Sequence, residues 1–253
     1  MLNETFYIDG VDARNFGIYL QKPIEFSEAR PIVEIQTIPG RNGDLVFETG
    51  IYENRTGIAS CFCLQKDVEK AISAAGRFLM AKHGYRRLET SDDPDHFWLA
   101  RIENSPRIAQ RMRTLAPFEI SFDCKPQRFL KSGEEKIAIQ YGTGKIERNV
   151  YNQYGFTAFP LIHAKWTSEE NNFLGLQIKN ENDEDKSIII YGITGNELYI
   201  DCDTRNIYNY IGNQNKLVTV DTFPVFNPGK TYINVAAFET LEYLEIMPRW
   251  WEL

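Results

Sequence analysis

The sequence predicts a mainly β protein with one helix, divided into two domains. Short runs of β-branched, aromatic and other apolar residues recur along the chain with Gly, Asn, Asp and Pro between them, the pattern of strands joined by turns. Phe118, Ile120, Phe122 and Cys124 alternate with Glu119, Ser121, Asp123 and Lys125, a two-residue period that belongs to a half-buried strand. Only "KDVEKAISAAGRFLMAKHG" carries helical spacing, through Val68, Ile72, Ala75 and Leu79.

Taken in order, "TFYI", Asp9-Gly10 and "VDA" predict a hairpin, because Asp-Gly accepts the positive φ values of a tight two-residue turn. "FGIYLQK" is a third short strand. "PIVEIQTI" and "LVFETGIY" form a second, longer hairpin. "GIASCFCLQ" follows as a strand with Ile58, Phe62 and Leu64 on one face, and with Cys61 and Cys63 sharing the other as buried thiols. In the helix, Asp67 is placed to cap the N-terminus and Gly84 to occupy the C′ position, with His83 at the negative end of the dipole.

"FWLARIEN" and "PFEISFDCKP" are strands, the second ended by Pro126. The polar, turn-rich "KSGEEK" and "YGTGK" mark a domain boundary, giving domains 1–135 and 136–253. Beyond it, "FPLIHAKWT", "FLGLQIKN", "KSIIIYG", "ELYIDCD", "TYINVAAF" and "LEYLEIMP" read as regular short strands of an antiparallel sandwich or jelly roll. "NENDEDK" lacks the glycine and distal glutamate of a calcium loop and reads as a solvated connection.

Composition narrows the function. Hydrophobic residues make up 43% and charged residues 25% of 253 residues, an ordinary globular balance. A net charge of −7 argues against nucleic acid as a high-affinity partner, since phosphate neutralisation needs clustered Lys and Arg. Arg107, Arg111 and Arg113 in "RIAQRMR" read as a solvated edge or loop. No apolar run approaches the roughly 20 residues of a membrane span, and "MLNETFYIDG" lacks the basic-then-apolar pattern of a secretion signal. The four cysteines, Cys61, Cys63, Cys124 and Cys202, form neither a disulfide framework nor a metal motif with the scattered His83, His96 and His163. G-x-S-x-G, H-E-x-x-H and P-loop motifs are missing. The expectation is a protein without catalytic residues, cofactor or metal.

The stretch "TIPGRNGDL", Thr37 to Leu45, holds Pro39, Gly40, Arg41, Asn42, Gly43 and Asp44 between two β runs. A phosphate loop would be followed by a helix whose N-terminus completes the site; here more β-forming sequence follows. Pro39-Gly40 fits the centre of a type II turn and Asn42-Gly43 that of a type I′ turn. Together they connect the longer hairpin.

The ordered landmarks resemble those of a known family, the distal tail proteins of long-tailed siphophages, called Dit. "FYIDG" and "IPGRNGDL" come first, then the single helix after "CFCL", then "RRLETSDDPDHFWLARI" and "FEISFDCKPQRF". "NQYGFTAFPLI", "NELYIDCDTRNIY", "FPVFNPGKTYI" and "EIMPRW" look like the later landmarks. The resemblance spans essentially the whole chain. It implies a tail-tube-like N-terminal β-sandwich with one helix and a projecting hairpin, and a galectin-like C-terminal β-sandwich.

It also implies a homo-hexameric ring, single or as two stacked rings, at the tail tip of a phage of a Gram-positive host. Such a ring joins the tail tube protein to the fibre or lysin protein, is assembled in the bacterial cytoplasm, lets DNA pass without reading it, and does not enter a membrane. Residues 39–44 would then belong to a ring-interface hairpin. A galectin-like domain raises the alternative of a sugar-binding tail lectin, but His163 is followed by Ala164 and Lys165 where galectins carry His-x-Asn-x-Arg. Trp166, Trp250 and Trp251 are the aromatic candidates for stacking on sugar.

Overall fold

A computed structural model describes residues 4–63, 68–103, 116–140, 146–181, 186–218, 223–237 and 240–253. Asp67, Arg107, Arg111, Arg113 and most of "NENDEDK" lie outside the described residues, as does the "YGTGK" segment. The chain forms two compact units, Met1–Arg128 with Leu253 and Phe129–Glu252, so the division falls inside a strand, ahead of the boundary expected at 135.

Unit 1 contains β1 (Phe6–Ile8), β2 (Val11–Asp12), β3 (Ile18–Leu20), β4 (Glu25–Phe26), β5 (Pro31–Gln36), β6 (Leu45–Tyr52), β7 (Arg55–Cys63), α1 (Val68–Met80), β8 (Arg86–Thr90), β9 (His96–Ile102) and the first part of β10 (Ala116–Leu130). Its main sheet has the order β2-β1-β8-β9-β10-β7-β3, with β4 also on β7. The first hairpin forms as its sequence dictates. Ile8 pairs with Val11 across Asp9 (φ 52°) and Gly10 (φ 76°), both left-handed.

The core is built on the antiparallel ladder of β7 with β10. Phe118 lies opposite Cys61, Ile120 opposite Ala59 and Phe122 opposite Gly57, all on the inner face. The buried face of β7 is therefore that of its small residues, whereas Ile58 and Phe62 point the other way and Ile58 is exposed. Large rings on β10 demand small partners, and Gly57 leaves room for Phe26, whose ring would meet an added Cβ at 3.0 Å. The sheet curls, so Phe6 of β1 reaches Phe122 of β10 at 5.8 Å and Phe26 stacks on Trp98 at 4.3 Å. Opposite walls thus face each other as the layers of a sandwich do.

Helix α1 covers this core with Ala75, Phe78 and Leu79, Phe78 stacking on Phe16 at 4.2 Å. Its end differs from expectation. The helix stops at Met80, so Gly84 (φ 88°) turns the following loop and His83 lies beyond the last turn. The Arg86 guanidinium takes their place, donating to the Phe78 and Leu79 carbonyls at 3.2 and 3.5 Å. A second difference is that β10 continues through Pro126 to Leu130. Its ladder with β7 ends at the Cys124–Arg55 pair, so the missing proline N–H breaks no bond on that side.

Unit 2 comprises β11 (Ile137–Gln140), β12 (Ile146–Asn152), β13 (Leu161–Trp166), β14 (Asn172–Asn180), β15 (Lys186–Ile193), β16 (Glu197–Asp201), β17 (Asn206–Asn209), β18 (Gly212–Asn213), β19 (Gly229–Ala237) and β20 (Leu241–Met247). They form a six-stranded sheet, β11-β20-β13-β16-β17-β18, and a four-stranded one, β12-β19-β14-β15. Alternate residues of both sheets meet in one core around Trp166 and Phe226. Buried asparagines satisfy the chain where strands give way to loops; Asn180 Oδ1 accepts from Thr231 Oγ1 at 2.7 Å and from the Asn227 N–H at 3.1 Å.

Within unit 2 the backbone of Gly133 lies against Trp250. The Gly133 carbonyl accepts the Arg249 N–H at 2.8 Å, and a Cβ on Gly133 would stand 2.3 Å from the Trp250 nitrogen. Backbone cannot step aside as a flexible side chain does. Gly133→Ala is expected to destabilise the protein by about 1–3 kcal/mol in urea unfolding. Gly155→Ala, where nothing lies within 4 Å of the added carbon, is the matched control and should stay within about 0.5 kcal/mol of the native chain.

Candidate interaction surface

β5 and β6 form a two-stranded sheet of their own, hydrogen-bonded to no other strand among the described residues. Val33 pairs with Glu48, Glu34 with Phe47, Ile35 with Val46 and Gln36 with Leu45. Facing pairs share a side of the ribbon, so Ile35 and Val46 lie on one face and Phe47 on the other. Ile35 is 63% exposed, Val46 58%, Phe47 51% and Ile51 58%. An isolated hairpin is at best marginally stable in water, and this one exposes apolar side chains on both faces. Scattered surface hydrophobics are ordinary; four of them gathered on one ribbon make it the candidate contact surface.

A bulge between Pro31 and Val33 opposes more residues of β6 than of β5, and Gly50 takes φ 74° beside it. The tip holds all six residues singled out from sequence. The Arg41 N–H donates to the Ile38 carbonyl at 3.2 Å around Pro39 and Gly40, and Gly40 has φ 82°, as a type II turn requires. Thr37 Oγ1 donates to Asp44 Oδ1 at 2.8 Å and closes the loop at its neck. Asn42-Gly43 does not make the expected type I′ turn. Gly43 takes φ 80° but Asn42 keeps a negative φ, because the strands stop at Gln36 and Leu45 and the loop is too long for a two-residue turn. Pro39, Gly40, Arg41, Asn42, Gly43 and Asp44 are all exposed, and no helix follows them.

The other chemical candidates are engaged elsewhere. Burial pushes the Cys61 thiol up to about 12, helped by Cys63, and the Cys124 thiol up to about 12, helped by Asp123; Cys63 and Cys202 are raised by burial as well. All four are unbridged. Among the described residues no group of three or more His, Cys, Asp or Glu side chains is placed to hold a metal ion, and no helix is long and apolar enough to cross a membrane. His163 stacks on Tyr199 at 4.2 Å, with Glu197 and Glu245 at 3.4 and 3.6 Å from its two ring nitrogens. Trp166 and Trp250 are buried, while Trp251 stacks on Phe156 at 4.4 Å and donates Nε1–H to the Thr157 carbonyl at 2.9 Å.

No protein-family model and no curated protein matches the chain. Solved structures do. The Dit protein of SPP1, described as a paradigm of hub adsorption apparatus in Gram-positive infecting phages, superposes with a TM-score of 0.69 and 14% identity, covering 96% of this chain and 98% of that one. A chain of the phage P2 baseplate in its activated conformation with calcium gives 0.58 at 9% identity, and one of the strontium form gives 0.57 at 10%, each covering 96% of both chains. The whole chain, both units included, has the fold of a phage distal tail hub protein.

The buried thiols generate a direct expectation. A thiol held near 12 is about one part in ten thousand thiolate at pH 8, and thiolate is the reactive form. A thiol reagent should therefore leave the folded native chain unmodified and modify Arg41→Cys at one site per chain. Titration with a chromogenic disulfide checks both.

Proposed function

We propose that this chain is a structural hub protein at the distal end of a long-tailed phage's tail, where it forms a six-membered ring joining the tail tube protein to the fibre or lysin protein. The role is architectural rather than catalytic, and assembly takes place in the host cytoplasm before the virion is complete. One observation carries the reading: the β5–β6 arm exposes apolar side chains on both faces, and no other strand among the described residues pairs with it. The fold shared with the SPP1 hub protein supports it.

A ring is the physical resolution of such an arm. Each copy offers its arm to the next, a heterologous contact that closes on itself and leaves no unmatched surface. Each fully covered Ile, Val or Phe gains about 1.5–3 kcal/mol, so a few side chains per arm suffice to hold neighbouring copies. The same covering protects ribbon edges that would otherwise template aggregation. The sugar-binding alternative finds no exposed indole, since Trp98, Trp166 and Trp250 are buried and Trp251 is stacked and hydrogen-bonded.

Native mass spectrometry of the purified chain should show six copies, or twice six where rings stack. A strictly monomeric protein at about 100 μM, with tail tube protein added as template, overturns the proposal. The tip supplies a second test. At φ 80° a β-branched residue strains the backbone by about 1–3 kcal/mol. Nothing lies within 4 Å of a Cβ at Gly43, so the conformation alone opposes the change. Gly43→Val should remain folded by circular dichroism yet lose most of its ring population, whereas Arg41→Ala should assemble normally. Normal assembly of Gly43→Val would detach the tip from the ring contact.

A further inference from the structure

The arm has no core, so its direction must be fixed where it leaves the curled sheet. Two legs make that foot: residues 27–30 lead from β4 into β5, and Glu53 and Asn54 lead from β6 into β7. The legs are laced to each other. The Ser27 N–H donates to the Thr56 carbonyl at 2.9 Å, the Thr56 N–H to Ser27 Oγ at 2.9 Å, Arg55 Nε to the Ser27 carbonyl at 2.8 Å, and the Glu53 N–H to the Arg30 carbonyl at 2.8 Å.

A separate cluster ties the returning leg to the wall of the sheet. Asn54 Nδ2 donates to Asp123 Oδ1 at 2.9 Å and to the Tyr85 hydroxyl at 2.6 Å. The Tyr85 hydroxyl donates to Asp123 Oδ2 at 3.1 Å and Arg101 Nε to the same oxygen at 2.5 Å. Asp123 sits on β10, Arg101 on β9 and Tyr85 just before β8. Among the described residues Asp123 is the one charged residue that counts as buried over backbone and side chain together. Burial alone would push its carboxyl up; the bonds from Arg101, Asn54 and Tyr85 outweigh that and hold it below the usual carboxylate range.

The geometry points to Asp123 as the latch that sets the direction of the arm: its carboxylate, acting through Asn54, holds the returning leg against β10, so that the arm meets the next copy already oriented. Asp123 is a positioning residue, since it acts on the arm through Asn54. A pre-oriented arm loses less freedom on binding than a swinging one, which is where such a latch adds affinity. The assembly role rests on the ring reading above; the latch stands on the cluster.

The native thiols are buried, so a spin label on Arg41→Cys reports motion at the tip alone. In the labelled chain, Asp123→Asn replaces one acceptor oxygen with an NH2 donor facing donors already arrayed around it, and Asn54→Ala, at an exposed position, removes the tie with little risk to folding. Both should raise label mobility in the monomer fraction and cut the ring population at least ten-fold, with the unfolding midpoint near that of the labelled parent. The exchange of both residues, Asp123→Asn with Asn54→Asp, returns one carboxylate and one amide to the cluster and should restore an ordered tip and rings; a residue that merely filled space would not be rescued this way. Unchanged mobility in both single variants overturns the latch. A mobile tip with rings undiminished overturns its part in assembly. Failure of the parent to form rings counts against the ring reading instead, while the label still reads the latch.

Discussion

The antiparallel ladder between β7 and β10 is the interaction on which the rest of unit 1 depends. It sets large rings on β10 against small residues on β7, Phe118 against Cys61, Ile120 against Ala59 and Phe122 against Gly57. A flat pairing of large residues on both strands would have splayed the sheet; the mismatch in size lets it curl until β1 and β4 bring Phe6 and Phe26 over the same core. The ladder also fixes where the arm begins. Its last pairs set Thr56 opposite Asp123 and Arg55 opposite Cys124, so the chain leaves β10's flank at the point where the buried carboxylate waits. A slip of one residue would turn Asp123 into the core and Phe122 outward together.

Unit 2 shows the same economy with a different device. Its strands alternate cleanly between a core face and an outer face, and the loops are secured by buried asparagines rather than by apolar packing. Asn209 is typical: it donates to the Thr194 carbonyl at 2.7 Å and accepts from the Ile211 N–H at 2.9 Å. Amides suit this work because each offers both donors and an acceptor at one position.

Much of this was legible in the sequence, for reasons particular residues make plain. The alternation from Phe118 to Cys124 is a direct image of the β10 inner face, and Asp9-Gly10 states its turn in two residues. The six strand runs read in the second half all appear, as β13, β14, β15, β16, β19 and β20. β11, β12 and β17 escaped because their runs are short or mixed with polar residues, and pairing with β20, β19 and β16 makes them strands. The helix end was misread at Gly84 because its cap comes from Arg86 on the next strand, and no local pattern announces a tertiary cap. Pro126 misled because a proline's cost depends on whether a neighbour needs its N–H. At the site, the tip glycines were visible from Pro39 to Gly43, but the exposed faces of the ribbon were not. "PIVEIQTI" looks as buried as any strand until the sheet it might join is known. Asn54, Tyr85, Arg101 and Asp123 lie far apart in sequence and share no motif.

That last fact bears on the order in which the protein is made. A hairpin closes in about 1–10 μs from neighbouring residues, while pairings between distant strands such as β1 with β8 must first meet the entropy of long loops. The arm is therefore an early structure on a late foundation, and an adhesive ribbon on an unfinished subunit is a hazard in a crowded cell. The cluster at its foot draws on four elements that come together only when the sheet is complete. A chain still missing β8, β9 or β10 has an arm but no fixed bearing for it, so on the ring reading proposed above the geometry needed to join another copy arrives last. Under that proposal, completion of the subunit becomes its own licence to assemble.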